Sequence, residues 1–130
     1  MATIFSRIVV GEIPCHKVAE DEEFFAFLDI NPLAVGHTLI VPREEIDYFF
    51  DISNEKMGRM MVFAKKVSVA LARTVPCRKV GLSVIGLEVP HAHIHLVPLN
   101  KEEDIHFGKL KITLSSEELA TLAAKIRENF

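Results

Sequence analysis

Apolar residues along this chain alternate between two spacings, and each change of spacing marks an element. Thr3 is placed to cap a short amphipathic helix over 3–10, which Gly11 and Pro14 end. Two strand-like runs follow, near 16–20 and over 24–28, on either side of an acidic turn at 20–23. Asp29-Ile30-Asn31-Pro32 leaves the second run, and Pro32 forces Asn31 into an extended or turned conformation. Gly36-His37 then opens an apolar run over 38–41, closed by Pro42, which reads as a buried strand. From Ser53, a natural N-cap, to about Arg73 the period becomes helical: Met57, Met60, Met61, Ala64, Val67 and Leu71 share a stripe. Core packing is a commoner use of such a Met-rich stripe than ligand binding. Pro76 and Cys77 end this region. The segments 79–85 and 91–97 read as a strand pair joined by a turn at 86–90. Ser115-Ser116-Glu117-Glu118 resembles a capping box, and Leu119, Leu122, Ala123 and Ile126 give a helix over about 115–128 its apolar face. Strands and helices mix without regular βαβ alternation, so the pattern predicts an α+β fold, an antiparallel sheet with flanking helices.

At 130 residues the chain suits one domain over 1–130, and its 49% hydrophobic and 25% charged residues are those of a globular protein with a real core. A formal net charge of −3 argues against nucleic acid held by a basic surface. An anionic ligand must instead be held by a few aimed donors. The two cysteines, Cys15 and Cys77, form no C-x-x-C pair and signal neither a zinc knuckle nor a disulfide framework. Residues 1–10 lack a signal-peptide layout and no apolar stretch approaches membrane-spanning length, so a cytoplasmic protein without membrane contact is expected.

One segment is chemically unusual. Three of the six histidines fall in His91-Ala92-His93-Ile94-His95. In a strand, alternation puts the three imidazoles on one face and Ala92, Ile94 and Leu96 on the other. A lone histidine on an apolar strand is usually structural, but three on one face are costly to desolvate unless each finds a partner. Two chemistries compete. A metal site is one, with a His-x-His pair and a third ligand from His37, Glu88 or Cys15. The outer two rings start about 13 Å apart at strand rise, so all three cannot readily share an ion, and no zinc spacing is present. The other is nucleophilic catalysis by the central ring. A neutral imidazole is available at pH 7, and if one nitrogen donates to a backbone carbonyl the other keeps its lone pair. Flanking rings can then hydrogen-bond to phosphate oxygens and the leaving group. The second reading is preferred.

The run His91-Ala92-His93-Ile94-His95-Leu96-Val97 resembles the His-φ-His-φ-His-φ-φ signature of the histidine-triad (HIT) superfamily. Thr3-Ile4-Phe5 with Gly11-Glu12-Ile13-Pro14 is similar to the N-terminal segment of its Hint branch. Phe25-Ala26-Phe27-Leu28-Asp29-Ile30-Asn31-Pro32 and Gly36-His37-Thr38-Leu39-Ile40-Val41-Pro42 resemble that branch's nucleotide-binding core. Similarity spans about 3–98 and fades beyond Leu99.

The resemblance implies a homodimeric HIT fold that hydrolyses nucleoside phosphoramidates or related nucleotidyl bonds through a covalent nucleotidyl-histidine. His93 would be the nucleophile, His95 would meet the scissile bridge or leaving group, His91 would fix the phosphate site, and His37 would support the cluster. Asp29 matches the acid that accepts from ribose hydroxyls. Without the resemblance, Asp29 before Asn31-Pro32 reads as turn chemistry. Ile4, Phe5, Ile8, Phe27, Ile30 and Leu39 match the apolar slot for a purine base. Gly86-Leu87-Glu88-Val89-Pro90 stands where the branch commonly has a Gly-rich polar stretch, placing Glu88 at the position of a phosphate-site hydroxyl. Ile4–Arg7 and Arg43-Glu44-Glu45-Ile46 replace the ligands of the zinc-binding subset, so neither metal nor cofactor is expected. Three alternatives stay open: a dinucleoside polyphosphate hydrolase, a nucleotide-binding module with weak or no catalysis, and a metal-binding protein.

Overall fold

The structure, a computed structural model, describes residues 2–130. In chain order it contains α1 (Ile4–Val9), β1 (Lys17–Glu20), β2 (Phe24–Leu28), β3 (Thr38–Pro42), α2 (Asn54–Thr74), β4 (Lys79–Ser83), β5 (Ile94–Leu99) and α3 (Ser116–Asn129), with short 3-10 turns at Phe49–Asp51 and Glu102–Ile105. The strands form one antiparallel sheet in the order β1-β2-β3-β5-β4. The expected α+β architecture, an antiparallel sheet with flanking helices, is what the chain adopts.

The caps are those that the sequence announces. The Thr3 hydroxyl accepts from the Ser6 amide, and Ser53 from Lys56. Ser115 and Glu118 close a reciprocal capping box on α3. Each side-chain oxygen satisfies a first-turn amide that has no intrahelical partner.

Every residue of β2 and β3 is buried, because both sides of the sheet are covered. On one side Phe24, Ala26, Leu28, Ile40, Ile94 and Leu96 pack against Met60, Phe63, Ala64, Val67, Ala70 and Leu71 of α2 and against Leu119, Ala123 and Ile126 of α3. The α2 stripe is therefore shifted from the predicted one: Phe63 and Ala70 face inward, and Met61 faces out. On the other side Phe5 and Ile8 of α1 pack against Phe25, Phe27, Leu39 and Val41. Gly36 sits where a Cβ would meet the Leu71 methyl at 2.9 Å, and its φ of +93° excludes most L side chains in any case.

One predicted strand is shorter than its sequence suggests. The run over 91–97 joins the sheet only at Ile94, so His91 and His93 precede β5. Pro42, next in line on the neighbouring strand, has no N–H to offer, and its carbonyl is taken by the His91 ring. Instead Ala92 N–H donates to Ile46 O. The chain stays extended enough for alternation to persist. Ala92 joins the helix-side core, while His93 and His95 turn their rings to the α1 side. The companion strand likewise ends at Ser83, opposite His95, rather than at Ile85.

Candidate active site

Four imidazoles gather on the α1 side of the sheet, all buried: His37 at the mouth of β3, His91 and His93 before β5, and His95 within it, opposite Leu39. The ring of Phe5 lies edge-on to His93 with centroids 4.9 Å apart, and the His93 and His95 rings are 4.8 Å apart. Among the described residues no buried side-chain nitrogen or oxygen lacks a partner. The desolvation cost anticipated for such a cluster is thus met by hydrogen bonds.

Those bonds assign the protons. A carbonyl can only accept and a backbone amide can only donate. His93 Nδ1 lies 2.8 Å from His91 O, so it carries the proton. Burial depresses the His93 pKa, the bond to the His91 carbonyl works the other way, and the net shift is downward. At pH 7 the ring is neutral and its Nε2 keeps a lone pair. On the adjoining pair the direction is set by Leu33, whose amide donates to His37 Nδ1 at 3.0 Å. His37 Nε2 therefore holds the proton and donates it to His95 Nδ1, also at 3.0 Å. His95 is left with an N–H at Nε2. Burial, the charge of Lys111 and that of His93 lower the His37 pKa to about 4. Burial, His93 and His37 lower that of His95 to about 3. Both rings are neutral at pH 7. The outer ring, His91, donates from Nε2 to Pro42 O at 2.8 Å, and its Nδ1 is 2.8 Å from the Thr3 hydroxyl. The N-cap of α1 thus also anchors the triad.

Asp29 makes the turn bond and also faces the imidazoles. Oδ1 accepts from the Asn31 amide at 2.8 Å, the expected turn bond, while Oδ2 lies 3.7 Å from His37 Nε2. Burial raises its pKa, against the Asn31 bond and the charges of Lys111 and His93. Asp29, His37 and His95 bring potential ligand atoms within 4.8 Å of one another. Proton placement does not suit an ion there, since His37 Nε2 carries the proton that the Leu33 amide denies to Nδ1.

Of the apolar positions singled out from sequence, Phe5, Ile8, Phe27 and Leu39 form one buried cluster beside the histidines, while Ile4 and Ile30 are exposed and not part of it. Glu88 is exposed on the 86–90 turn. Sequence reasoning missed two features. Phe107, beyond the region of resemblance, packs edge-on against His95 at 4.7 Å and faces His37 at 6.3 Å. Its segment is tied back by Ile112 N–H to Pro32 O, and within it Lys111 Nζ donates to Phe107 O. A lone aromatic in a stretch without periodicity was the only signal. The second is a cavity of about 470 Å³ that His93 lines together with Tyr48, Phe50, Ile85, Leu87 and Pro90.

A HIT domain profile matches residues 10–102. The chain belongs to the HIT family. A HIT-like protein of Borreliella burgdorferi is 35% identical, the match covering 97% of this chain and 96% of that one. A Schizosaccharomyces pombe protein named adenosine 5'-monophosphoramidase hnt1 is 33% identical, covering 97% and 96% of the two chains. The crystal structure of a Hit-like protein from Bartonella henselae superimposes with a TM-score of 0.84 at 26% identity, over 98% of this chain and 96% of that one. Membership of the HIT superfamily, inferred from the triad and the 25–42 segments, stands. Among the described residues no helix is long and apolar enough to cross a membrane.

Proposed function

We propose that this HIT protein is a nucleotide hydrolase that cleaves nucleoside phosphoramidates or related nucleotidyl bonds through a nucleotidyl-His93 intermediate. The observation that carries the reading is the 2.8 Å separation of His93 Nδ1 from the His91 carbonyl oxygen, which requires the proton on Nδ1 and leaves Nε2 with a free lone pair. The relatedness to a protein named adenosine 5'-monophosphoramidase supports the substrate class.

In this reading the His93 Nε2 lone pair forms a bond to the α-phosphorus, and the bond from phosphorus to the leaving nitrogen breaks. That nitrogen, protonated from solvent beforehand, departs as a neutral amine. Water then attacks phosphorus, the phosphorus–imidazole bond breaks, its electron pair returns to Nε2, and water's proton passes to solvent. Two displacements replace one difficult step. His95, with its N–H at Nε2, hydrogen-bonds to the bridge or a phosphoryl oxygen, and His37 holds it in that tautomer. His91 fixes the carbonyl that orients His93. Asp29 Oδ2 accepts from ribose hydroxyls, and Phe5, Ile8, Phe27 and Leu39, with Ile4 and Ile30 at the rim, hold the purine. Glu88 borders the phosphate on the 86–90 turn. The reading keeps the homodimer that the resemblance implies and the cytoplasmic setting expected from the sequence, with no metal or cofactor.

The test is to mix the protein with adenosine 5'-phosphoramidate, quench under alkaline denaturing conditions and map the peptides by mass spectrometry. An adenylyl group on His93 is expected, absent from His93→Ala. An adduct on another residue, or turnover that His93→Ala retains, contradicts the assignment. Diadenosine tetraphosphate cleaved faster than phosphoramidate shifts the reading to a dinucleoside polyphosphate hydrolase. Nucleotide affinity with no turnover of either shifts it to a binding module.

A further inference from the structure

Glu45 is exposed on the loop after β3, outside the imidazole cluster, yet it is tied twice to α1. The Thr3 amide and the Ser6 hydroxyl both donate to its Oε1, each at 2.7 Å. The Ser6 bond and then the Thr3 bond hold the carboxyl pKa below its ordinary value, so Glu45 is ionised at pH 7. A helix of six residues is too short to persist on its own, and its ends fray first. Phe5 and Ile8 seat the inner face of α1, and Glu45 fastens its start.

That start holds the outer ring of the triad. His91 Nε2 donates to Pro42 O, so Nδ1 of the neutral ring is an acceptor. The Thr3 hydroxyl, 2.8 Å from Nδ1, donates to it and accepts in turn from the Ser6 amide at 3.0 Å. Its single proton is thereby spent on His91. Ser6 Oγ, 3.4 Å from the ring, gives its own proton to Glu45. The segment from Pro42 to Ile46 completes the frame. Ala92 N–H donates to Ile46 O at 2.6 Å, and it shares a planar peptide with His91 C=O, the acceptor of the His93 Nδ1 proton. One short segment thus grips the His91 ring, the peptide that follows it and the N-terminus of α1.

We infer that Glu45, with Ser6 and Thr3, is a positioning residue for the His93 nucleophile. Its carboxylate sets the Thr3 hydroxyl on the His91 ring, and the His91 carbonyl sets the ring of His93. None of the three touches the reacting atoms. The inference rests on the reading of His93 as nucleophile and extends its support to an exposed side chain. A tie that merely stabilised α1 would act instead through Phe5 and Ile8, on affinity and stability.

The experiment measures kcat and KM for adenosine 5'-phosphoramidate in Thr3→Gly, Thr3→Ser, Glu45→Ala and Glu45→Gln. Exchange of the His93 Nδ1 proton with water is followed by NMR in the same proteins without ligand. Glycine is tolerated as an N-cap, so Thr3→Gly removes the donor and largely keeps the helix start. It should lower kcat about tenfold to a hundredfold, with KM within about twofold. Glu45→Ala should lower kcat about fivefold to tenfold. Thr3→Ser keeps the hydroxyl and Glu45→Gln the acceptor, so both should stay within about twofold of wild type. Because Glu45 acts through Thr3, adding Glu45→Ala to Thr3→Gly should cost less than about twofold more. The His93 Nδ1 proton should exchange about tenfold faster in Thr3→Gly and in Glu45→Ala.

A rise in KM with kcat unchanged, or losses that multiply in the double variant, assigns the tie to α1 alone and overturns the inference. So does an exchange rate equal in all variants. If Thr3→Gly fails to fold, Glu45→Ala, a change on an exposed side chain, carries the test. His93-dependent turnover at wild-type kcat in Glu45→Ala sinks only this inference. Turnover that His93→Ala retains sinks the nucleophile reading, and the exchange rates still decide whether Glu45 holds the ring.

Discussion

The two sides of the sheet are built from the same strands and put to different uses. On the side of α2 and α3, β2 contributes Phe24, Ala26 and Leu28 to a core that is apolar throughout. On the side of α1, the alternate residues Phe25 and Phe27 share their layer with four imidazoles, each held by a backbone group, a hydroxyl or another ring. Packing specifies the first side through volume. The second is specified through donors and acceptors, because a buried imidazole with the wrong proton faces an unsatisfied carbonyl or amide. The comparison teaches that the helix side should respond to substitutions in stability and the α1 side in chemistry.

The largest effect expected is on chemistry alone. His93→Ala should lower turnover of adenosine 5'-phosphoramidate on the order of 10⁴-fold or more, while urea denaturation shows a much smaller loss than a core truncation gives. Comparable losses in stability and activity would erase the distinction between the sides. The converse substitution, Phe24→Ala, removes a ring packed on Phe63 at 5.7 Å. It should cost about 3–5 kcal/mol in denaturant unfolding, with KM for the remaining folded enzyme unchanged. Phe27→Ala, on the α1 side, should instead raise KM. Gly36→Ala sharpens the comparison at the boundary: a Cβ 2.9 Å from Leu71 in a residue at φ +93° should destabilise by about 2 kcal/mol.

Acid should act through the α1 side. His37 and His95 have folded pKa values of about 4 and about 3, against an ordinary value of 6.5. Below 6.5 the unfolded chain binds protons that the folded one refuses. Their contribution to stability is complete above that pH and is lost as pH falls through 4 to 3. Thermal melts from pH 7 to pH 4 should show this decline, and it should flatten in the variant carrying both His37→Gln and His95→Gln. An equally steep decline in that variant would place the acid sensitivity elsewhere. The smallest effect is expected from Phe107→Ala. Opening the contact at 4.7 Å admits water to His95, so the acidic limb of the kcat profile should move upward by less than about one pH unit. Phe107→Leu should keep the limb in place.

Much of this arrangement was legible in the chain. Period-2 and period-3.6 runs located the strands and helices, and the Thr3, Ser53 and Ser115 caps marked helix starts to within a residue. The gathering of His91, His93 and His95 on one side followed from alternation alone. Its mechanism did not. A strand was expected from His91, yet pairing waits until Ile94, because Pro42 cannot donate and the His91 ring occupies its carbonyl. That competition between a side chain and the ladder has no periodic trace. Phe107 and the cavity by Tyr48 and Phe50 were illegible for a related reason. Each is a meeting of loops, and loop contacts are set by tertiary geometry rather than by local spacing.

Nitrogen-15 NMR of the imidazoles, in the protein without ligand at pH 7, reads the proton positions directly. The account expects protons on His93 Nδ1 and on Nε2 of both His37 and His95, with His93 Nε2 showing the shift of an unprotonated nitrogen. A proton found on His93 Nε2 would remove the nucleophile and contradict the account.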